Sequence, residues 1–153
     1  MQIEKIVDDL LNRFNHLVVK KTWGETSIFF NPKRVSAHGS YFVTIKESDG
    51  ENDQASNLDR DGIFRVSFGV SRNSYEALFG PKPPRPAKGE AVGTGHDFTQ
   101  TNLLMPHPIY AWMNWLQLLN PTQDTWNSNQ SLIQESYELS KARFEKRKRR
   151  VAL

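Results

Sequence analysis

The sequence predicts a single α+β domain: a mostly antiparallel sheet with an N-terminal and a C-terminal helix packed on it. Three observations predict it. Apolar residues keep helical spacing at both ends of the chain. Short β-rich runs with turn residues between them fill the first half of the interior. Helices and strands are grouped, without the strict alternation that builds a parallel sheet.

The first element is an amphipathic helix over roughly 2–15. Ile3, Ile6, Val7, Leu10, Leu11 and Phe14 recur at helical spacing, with Asp8, Asp9, Asn12 and Arg13 opposite. Two β-rich runs follow, Leu17-Val18-Val19 and Ser27-Ile28-Phe29-Phe30, joined through Thr22-Trp23-Gly24-Glu25 as a hairpin. Tyr41 to Ile45 is a third strand and Gly62 to Phe68 a fourth. In the fourth, Ile63, Arg65 and Ser67 share one face and Phe64, Val66 and Phe68 the other, because side chains alternate along a strand. Glu47 to Asp61 is polar and acidic and reads as a surface loop with little to bury.

Ser71 is placed to N-cap a short helix through Phe79, with Tyr75, Leu78 and Phe79 inward and Gly80-Pro81 as the stop. Gly80 to Gly95, punctuated by Pro81, Pro83, Pro84 and Pro86, is a long irregular connection. Tyr110 to Leu119 is apolar and aromatic and reads as a strand ending at Asn120-Pro121. A last helix begins near Asn127 or Ser128, with Leu132, Ile133, Tyr137 and Phe144 as its inner stripe.

At 153 residues the chain has the length of one ordinary domain. A chain of this size buries roughly 68–70% of its unfolded surface and needs no covalent staple. There is no cysteine, which excludes disulfide scaffolds, Cys-ligated metal sites and thiol chemistry. No apolar run reaches membrane-spanning length, and Met1-Gln2-Ile3-Glu4-Lys5 lacks the pattern of a signal peptide. The expectation is a soluble cytoplasmic protein.

The pI near 9.2 invites an anionic partner. Its source is local. Residues 141–153 hold seven bases against Glu145 alone, a net of +6, and residues 1–140 carry −3. The division is therefore a body, 1–140, and a basic helix end or tail, 141–153. Lys146, Arg147, Lys148, Arg149 and Arg150 are candidates for nucleic-acid phosphates, although such cations also complement a helix C-terminus or simply face solvent.

No motif implies a cofactor. Asn57-Leu58-Asp59-Arg60-Asp61-Gly62 begins like a calcium loop, but Phe68 stands where a bidentate Glu is needed, and a turn explains the segment. Gly89, Gly93 and Gly95 lack the Lys-Ser/Thr ending of a phosphate loop. His16, His38, His96 and His107 have no metal-ligand spacing among themselves, and no Gly-x-Ser-x-Gly elbow is present.

The most unusual segment is Pro106 to Trp115. Two prolines hold His107 extended. Tyr110, Trp112 and Asn114 would share a strand face, supplying a phenol and an indole beside the imidazole, as in an apolar pocket with few polar groups. The same aromatics fit a core, the reading that composition favours for the tryptophans, with His107 capping a turn.

Asn57 to Val66 with Gly69-Val70-Ser71, then Leu78-Phe79-Gly80, then His107-Pro108-Ile109-Tyr110 with Trp115, then Asn120-Pro121 and a terminal helix, together resemble an uncharacterised bacterial family of about this length. In outline the chain is similar, more distantly, to YjbR-like and luciferase-domain-like α+β proteins. The resemblance implies a fold and no activity.

The leading expectation is a non-enzymatic module for a small molecule or a protein partner. Its pocket would lie between the sheet and loops 47–61 and 80–106. Arg65 would contact an anion through its planar fork, His107 and Tyr110 would orient the ligand, and Trp112 or Trp115 would wall it. An enzyme with His107 as general base and Asp59 or Asp61 as partner is the alternative. Nucleic-acid contact through the sheet surface or the tail is a further one.

Overall fold

The computed structural model describes residues 1–152, so Leu153 of the basic tail lies outside the described residues. Helix α1, Ile3–Arg13, buries Ile6, Val7 and Leu10. Strands β1, Leu17–Thr22, and β2, Glu25–Phe30, form the expected hairpin. Its turn places Gly24 at φ +74°, a left-handed position suited to glycine. Strands β3, Ser40–Lys46, and β4, Arg65–Gly69, follow, then helix α2, Arg72–Phe79. Strands β5, Met105–Pro106, and β6, Trp115–Leu119, complete a six-stranded sheet in the order β1-β2-β3-β4-β6-β5. Every neighbouring pair is antiparallel. Helices α3, Gln123–Ser128, and α4, Gln130–Ala152, end the described chain.

The sheet has two unlike faces because side chains alternate along each strand. Ile28, Val43, Phe68 and Leu116 are register partners across four strands, and Ile45, Val66 and Leu118 form the next row. This apolar face carries the helices. Phe14, at the end of α1, stacks on Tyr137 of α4 with ring centroids 4.6 Å apart, and both meet Phe42. Trp126 of α3 is fully buried, and its indole N–H donates to Asp9 of α1 at 2.8 Å. The opposite face is polar. Ser27, Thr44, Ser67 and Gln117 lie in one row, and Glu25, Lys46 and Arg65 in the next. Loops cover this face: the Ser56 hydroxyl donates to Gln117, whose amide donates to the Phe98 carbonyl. Strand β4 and all of β6 except the partly exposed Trp115 are thus buried, so the sheet offers no broad open surface there.

Ser71 N-caps α2, accepting from the Ser74 amide at 3.1 Å, and Gly80 ends it. Glu135 of α4 adds a second cap, accepting from the Ser71 amide and the Ser74 hydroxyl at 2.6 Å each. Burial raises the Glu135 pKa, but the Ser74 and Ser71 hydrogen bonds outweigh it and hold the carboxyl below its ordinary value.

Four expectations are corrected. Leu78 is exposed, since only Tyr75 of α2 faces fully inward. The apolar run from Tyr110 to Leu119 is two elements. Ala111–Met113 is a turn of 3-10 helix, Asn114 reverses the chain at φ +66°, and the strand starts at Trp115. Asparagine tolerates that left-handed backbone. The fourth strand starts at Arg65, because Gly62 at φ +72° ends a turn ahead of it. The last helix is preceded by a separate α3, N-capped by Thr122. The basic segment from Lys141 is the end of α4.

Candidate functional site

A cavity of about 550 Å³ opens on the polar face of the sheet. Its lining combines Thr44, Lys46 and Arg65 from the sheet, Gly50 to Asp53 from the first covering loop, and His107, Ile109, Tyr110, Met113 and Trp115 from the segment before and into β6. Glu25 and Tyr41 complete it.

His107 is held by its own backbone. Its amide donates to the Trp115 carbonyl at 3.0 Å, which closes the 107–115 segment at its base. Its ring Nδ1 then accepts from the Ile109 and Tyr110 amides at 3.0 and 3.1 Å. Pro108 sits between them and lacks an N–H, so the ring serves the two donors that follow. With the Nδ1 lone pair occupied, the proton of a neutral ring resides on Nε2. His107 is only 2% exposed. Burial pushes its pKa well below the ordinary value, and the charges of Arg65 and, more weakly, Lys46 act in the same direction against Asp53. The ring is therefore neutral at pH 7, and its Nε2–H is a donor with no partner among the described residues.

Arg65 is buried, and its fork is already used. Nη1 donates to Asp53 Oδ1 at 3.0 Å and to the Ser56 hydroxyl at 3.4 Å, and Nη2 donates to Asp53 Oδ2. Lys46, cross-strand partner of Arg65, places Nζ 3.0 Å from the same Oδ2. Burial alone would raise the Asp53 pKa, but the Arg65 hydrogen bond and charge, aided by Lys46, hold it far below the usual carboxylate range. Asp53 reaches this position through a tight turn in which its amide and carbonyl pair with those of Gly50. A side chain at Gly50 would place its Cβ 2.8 Å from Lys46 Nζ.

Trp115 forms the floor, lying over Gly69, its register partner on β4. A Cβ at Gly69 would stand 2.9 Å from the indole nitrogen, so the bare backbone is what admits the ring. Tyr110 packs on His107 with ring centroids 5.0 Å apart and remains half exposed at the rim with Tyr41 and Met113.

Of the expected site residues, Arg65, His107, Tyr110 and Trp115 converge on the cavity. Trp112 does not line it: the 3-10 turn directs its ring to the Arg85 guanidinium, 4.9 Å from the ring centre. Asp59 and Asp61 also fall outside, in a separate hollow near the N-terminus. There the Asp59 carboxylate accepts from the Asp49 amide and the Asp49 carboxylate from the Leu58 amide, a turn closed on itself. Loop 80–106 contributes no lining residue; it buries Val92 and Phe98 elsewhere. The Arg65 fork, expected to meet an anion, meets Asp53. Loop 47–61, expected to bury little, buries Ser56 and Leu58 and half-buries Asp53. Lys46, Asp53, Tyr41 and Glu25 were not legible as site residues, although strand alternation aligns Lys46 with Arg65 once the register is known. Among the described residues no three of His, Asp and Glu converge as a metal ion requires, and no helix is long and apolar enough to cross a membrane.

No curated protein and no solved structure matches the chain. A family model does, described as a family of unknown function (DUF6194) and covering residues 1–149. With nearly its whole length matched, the chain belongs to the DUF6194 family of unknown function.

Proposed function

We propose that the protein is a non-enzymatic binding module whose cavity takes a small molecule with a flat, mostly apolar body and a hydrogen-bond-accepting atom. The observation that carries this reading is the state of His107. A general base needs a lone pair on the nitrogen that meets substrate. Here the lone pair is spent on two backbone amides, and the remaining nitrogen is a donor. Such a group orients a ligand and does not take its proton. Trp115, Tyr110 and Tyr41 offer apolar surface beside it, and Lys46 adds a cation that Asp53 shares with Arg65.

The enzyme alternative also loses its partners in this reading, since Asp59 and Asp61 stand outside the cavity. From the sequence we further infer that the His107-Pro108-Ile109-Tyr110 segment marks the family, that the chain is distantly similar to YjbR-like and luciferase-domain-like proteins, and that it works in a bacterial cytoplasm.

The test is a ligand-detected NMR screen of small aromatic carbonyl and carboxyl compounds, with Trp fluorescence as second readout. His107→Asn keeps an oxygen where Nδ1 caps the turn and removes the Nε2 donor. Its expected effect is about a tenfold loss of affinity for compounds bound by the wild type, the usual scale of one lost hydrogen bond. Binding indifferent to both His107→Asn and Tyr110→Ala, or turnover that His107→Asn abolishes, would overturn the reading.

A further inference from the structure

The end of α4 docks on the loop between β2 and β3. Arg147 donates to the Gly39 carbonyl at 2.8 Å and Arg143 to the Tyr41 carbonyl at 3.1 Å. Phe144 is buried against Phe30, with ring centroids 5.5 Å apart. The loop, residues 31–39, is held in shape from within. The Asn31 amide group donates to the Ser36 carbonyl and its oxygen accepts from the Ser36 amide, while the Ser36 hydroxyl accepts from the Gly39 amide. Gly39 has φ +84°, and a Cβ there would lie 2.5 Å from the Phe30 carbonyl oxygen.

The two elements form a continuous basic surface. Lys33, Arg34 and His38 are exposed on the loop. On α4, Arg143, Lys146, Arg147 and Arg150 recur at i, i+3, i+4 and i+7 and therefore share a helix face. Arg147 touches the loop at Gly39 and Arg143 the start of β3 at Tyr41, so the helical stripe adjoins the loop cations. No acidic residue occurs between Glu25 and Glu47, and only Glu145 occurs after Glu138. Helical spacing puts Glu145 on the far side from the stripe. Among the described residues none of these cations is ion-paired. Burial, and then the like charge of Arg147, hold Arg143 below its ordinary pKa.

Compensation of the helix dipole acts only within the last turn. It accounts for Arg149 and Arg150, and Arg143 and Arg147 tie the helix to the body, which leaves Lys33, Arg34 and Lys146 without a partner among the described residues. We propose that this surface binds the phosphate backbone of duplex nucleic acid without reading sequence. A membrane surface fits less well. Among the residues whose burial is described, Val35 is the one exposed large apolar side chain on the loop or on α4 from Lys141 to Arg150, and polybasic membrane contacts need apolar insertion or an acyl anchor as well. Single strands are bound by stacking on a row of exposed aromatic rings; here Phe144 is buried, and Tyr41, half exposed beside Arg143, is a single ring.

The test is fluorescence anisotropy of the full chain with a labelled random-sequence DNA duplex, between about 50 and 200 mM salt. Six phosphates, one for each of Lys33, Arg34 and the four stripe cations, predict a slope of log K against log salt of about −5. The double variant Lys33→Ala/Arg34→Ala is expected to flatten that slope by about two and to weaken binding equally for all sequences. Lys148→Ala/Arg149→Ala, off the stripe, is expected to lose clearly less. Circular dichroism and the thermal midpoint check that both variants fold. An equal loss in the two pairs, no loss from the loop pair, or binding to phosphatidylserine vesicles without binding to duplex would overturn the proposal. His107→Asn is expected to leave duplex binding unchanged, which separates this surface from the cavity.

Discussion

Asp53 binds both terminal nitrogens of Arg65, one to each carboxylate oxygen, and holds Lys46 by the second oxygen as well. The arginine lies in a central strand and the aspartate in a loop twelve residues earlier. Two cations and one anion at the cavity wall thus form one unit, and the loop cannot leave without exposing a buried charge.

Removing Asp53 is therefore expected to cost more than removing a surface ion pair. Asp53→Ala leaves Arg65 charged, buried and unpaired, a class of change worth about 3–5 kcal/mol. Urea unfolding measures it. The Asp53→Ala/Arg65→Met pair is expected to be less destabilised than Asp53→Ala alone, because the second change removes the orphaned charge.

The same pair sets an acid limit on stability. The folded pKa of Asp53 is depressed, so in the acid range below its ordinary value, 3.8, the unfolded chain binds the proton first. The stabilisation is complete above that value and is lost as pH falls toward the folded one. Unfolding curves from pH 5 downward, at about pH 5, 4 and 3, are expected to show this loss in the wild type and not in Asp53→Asn.

His107 contributes a second, less acidic dependence. It is buried neutral with a depressed pKa, so the unfolded chain gains its proton first as pH falls through the ordinary value, 6.5. Stability is full above that pH and declines below it by at most about 1.4 kcal/mol per pH unit. His107→Asn is expected to remove this decline. The nitrogen shifts of the imidazole in a ¹⁵N NMR spectrum at pH 7 are expected to report the Nε2–H tautomer; the opposite tautomer would contradict the double acceptance at Nδ1.

Gly69→Ala tests the cavity floor. The new methyl would stand 2.9 Å from the Trp115 indole nitrogen and must displace the ring. Overpacking of this kind costs about 1–3 kcal/mol. A shifted Trp emission together with a lowered thermal midpoint is the expected result, and an unchanged pair would show that the ring moves freely.

Glu135→Ala tests the tie between α4 and α2. It removes the carboxylate that accepts from Ser71 and Ser74. Hydrogen bonds to a charged group contribute about 1.5–3 kcal/mol each when buried, and less at this half-buried position. Faster amide exchange confined to Arg72–Phe79 is the expected signature.

The sequence by itself determined the class of fold, because the relevant signals are local. Helical spacing in Ile6, Val7 and Leu10, alternation through Val66 and Phe68, the cap at Ser71 and the stop at Gly80 are each decided within a few residues. It also made His107 conspicuous, since flanking prolines constrain only neighbouring backbone. The tertiary structure alone decided what those residues meet. Tyr110 to Leu119 has no local signal separating strand from turn, and the split at Asn114 follows from the His107–Trp115 backbone pair. Asp53 looked like one acid in a solvated loop until the loop folded onto β4. The basic tail reads as an appendage in the sequence, and the fold ties it down through Arg147 on Gly39 and Arg143 on Tyr41. Charge and hydrogen-bond partners distant in the chain are set by which faces pack together, and that is a property of the assembled sheet and its covering loops.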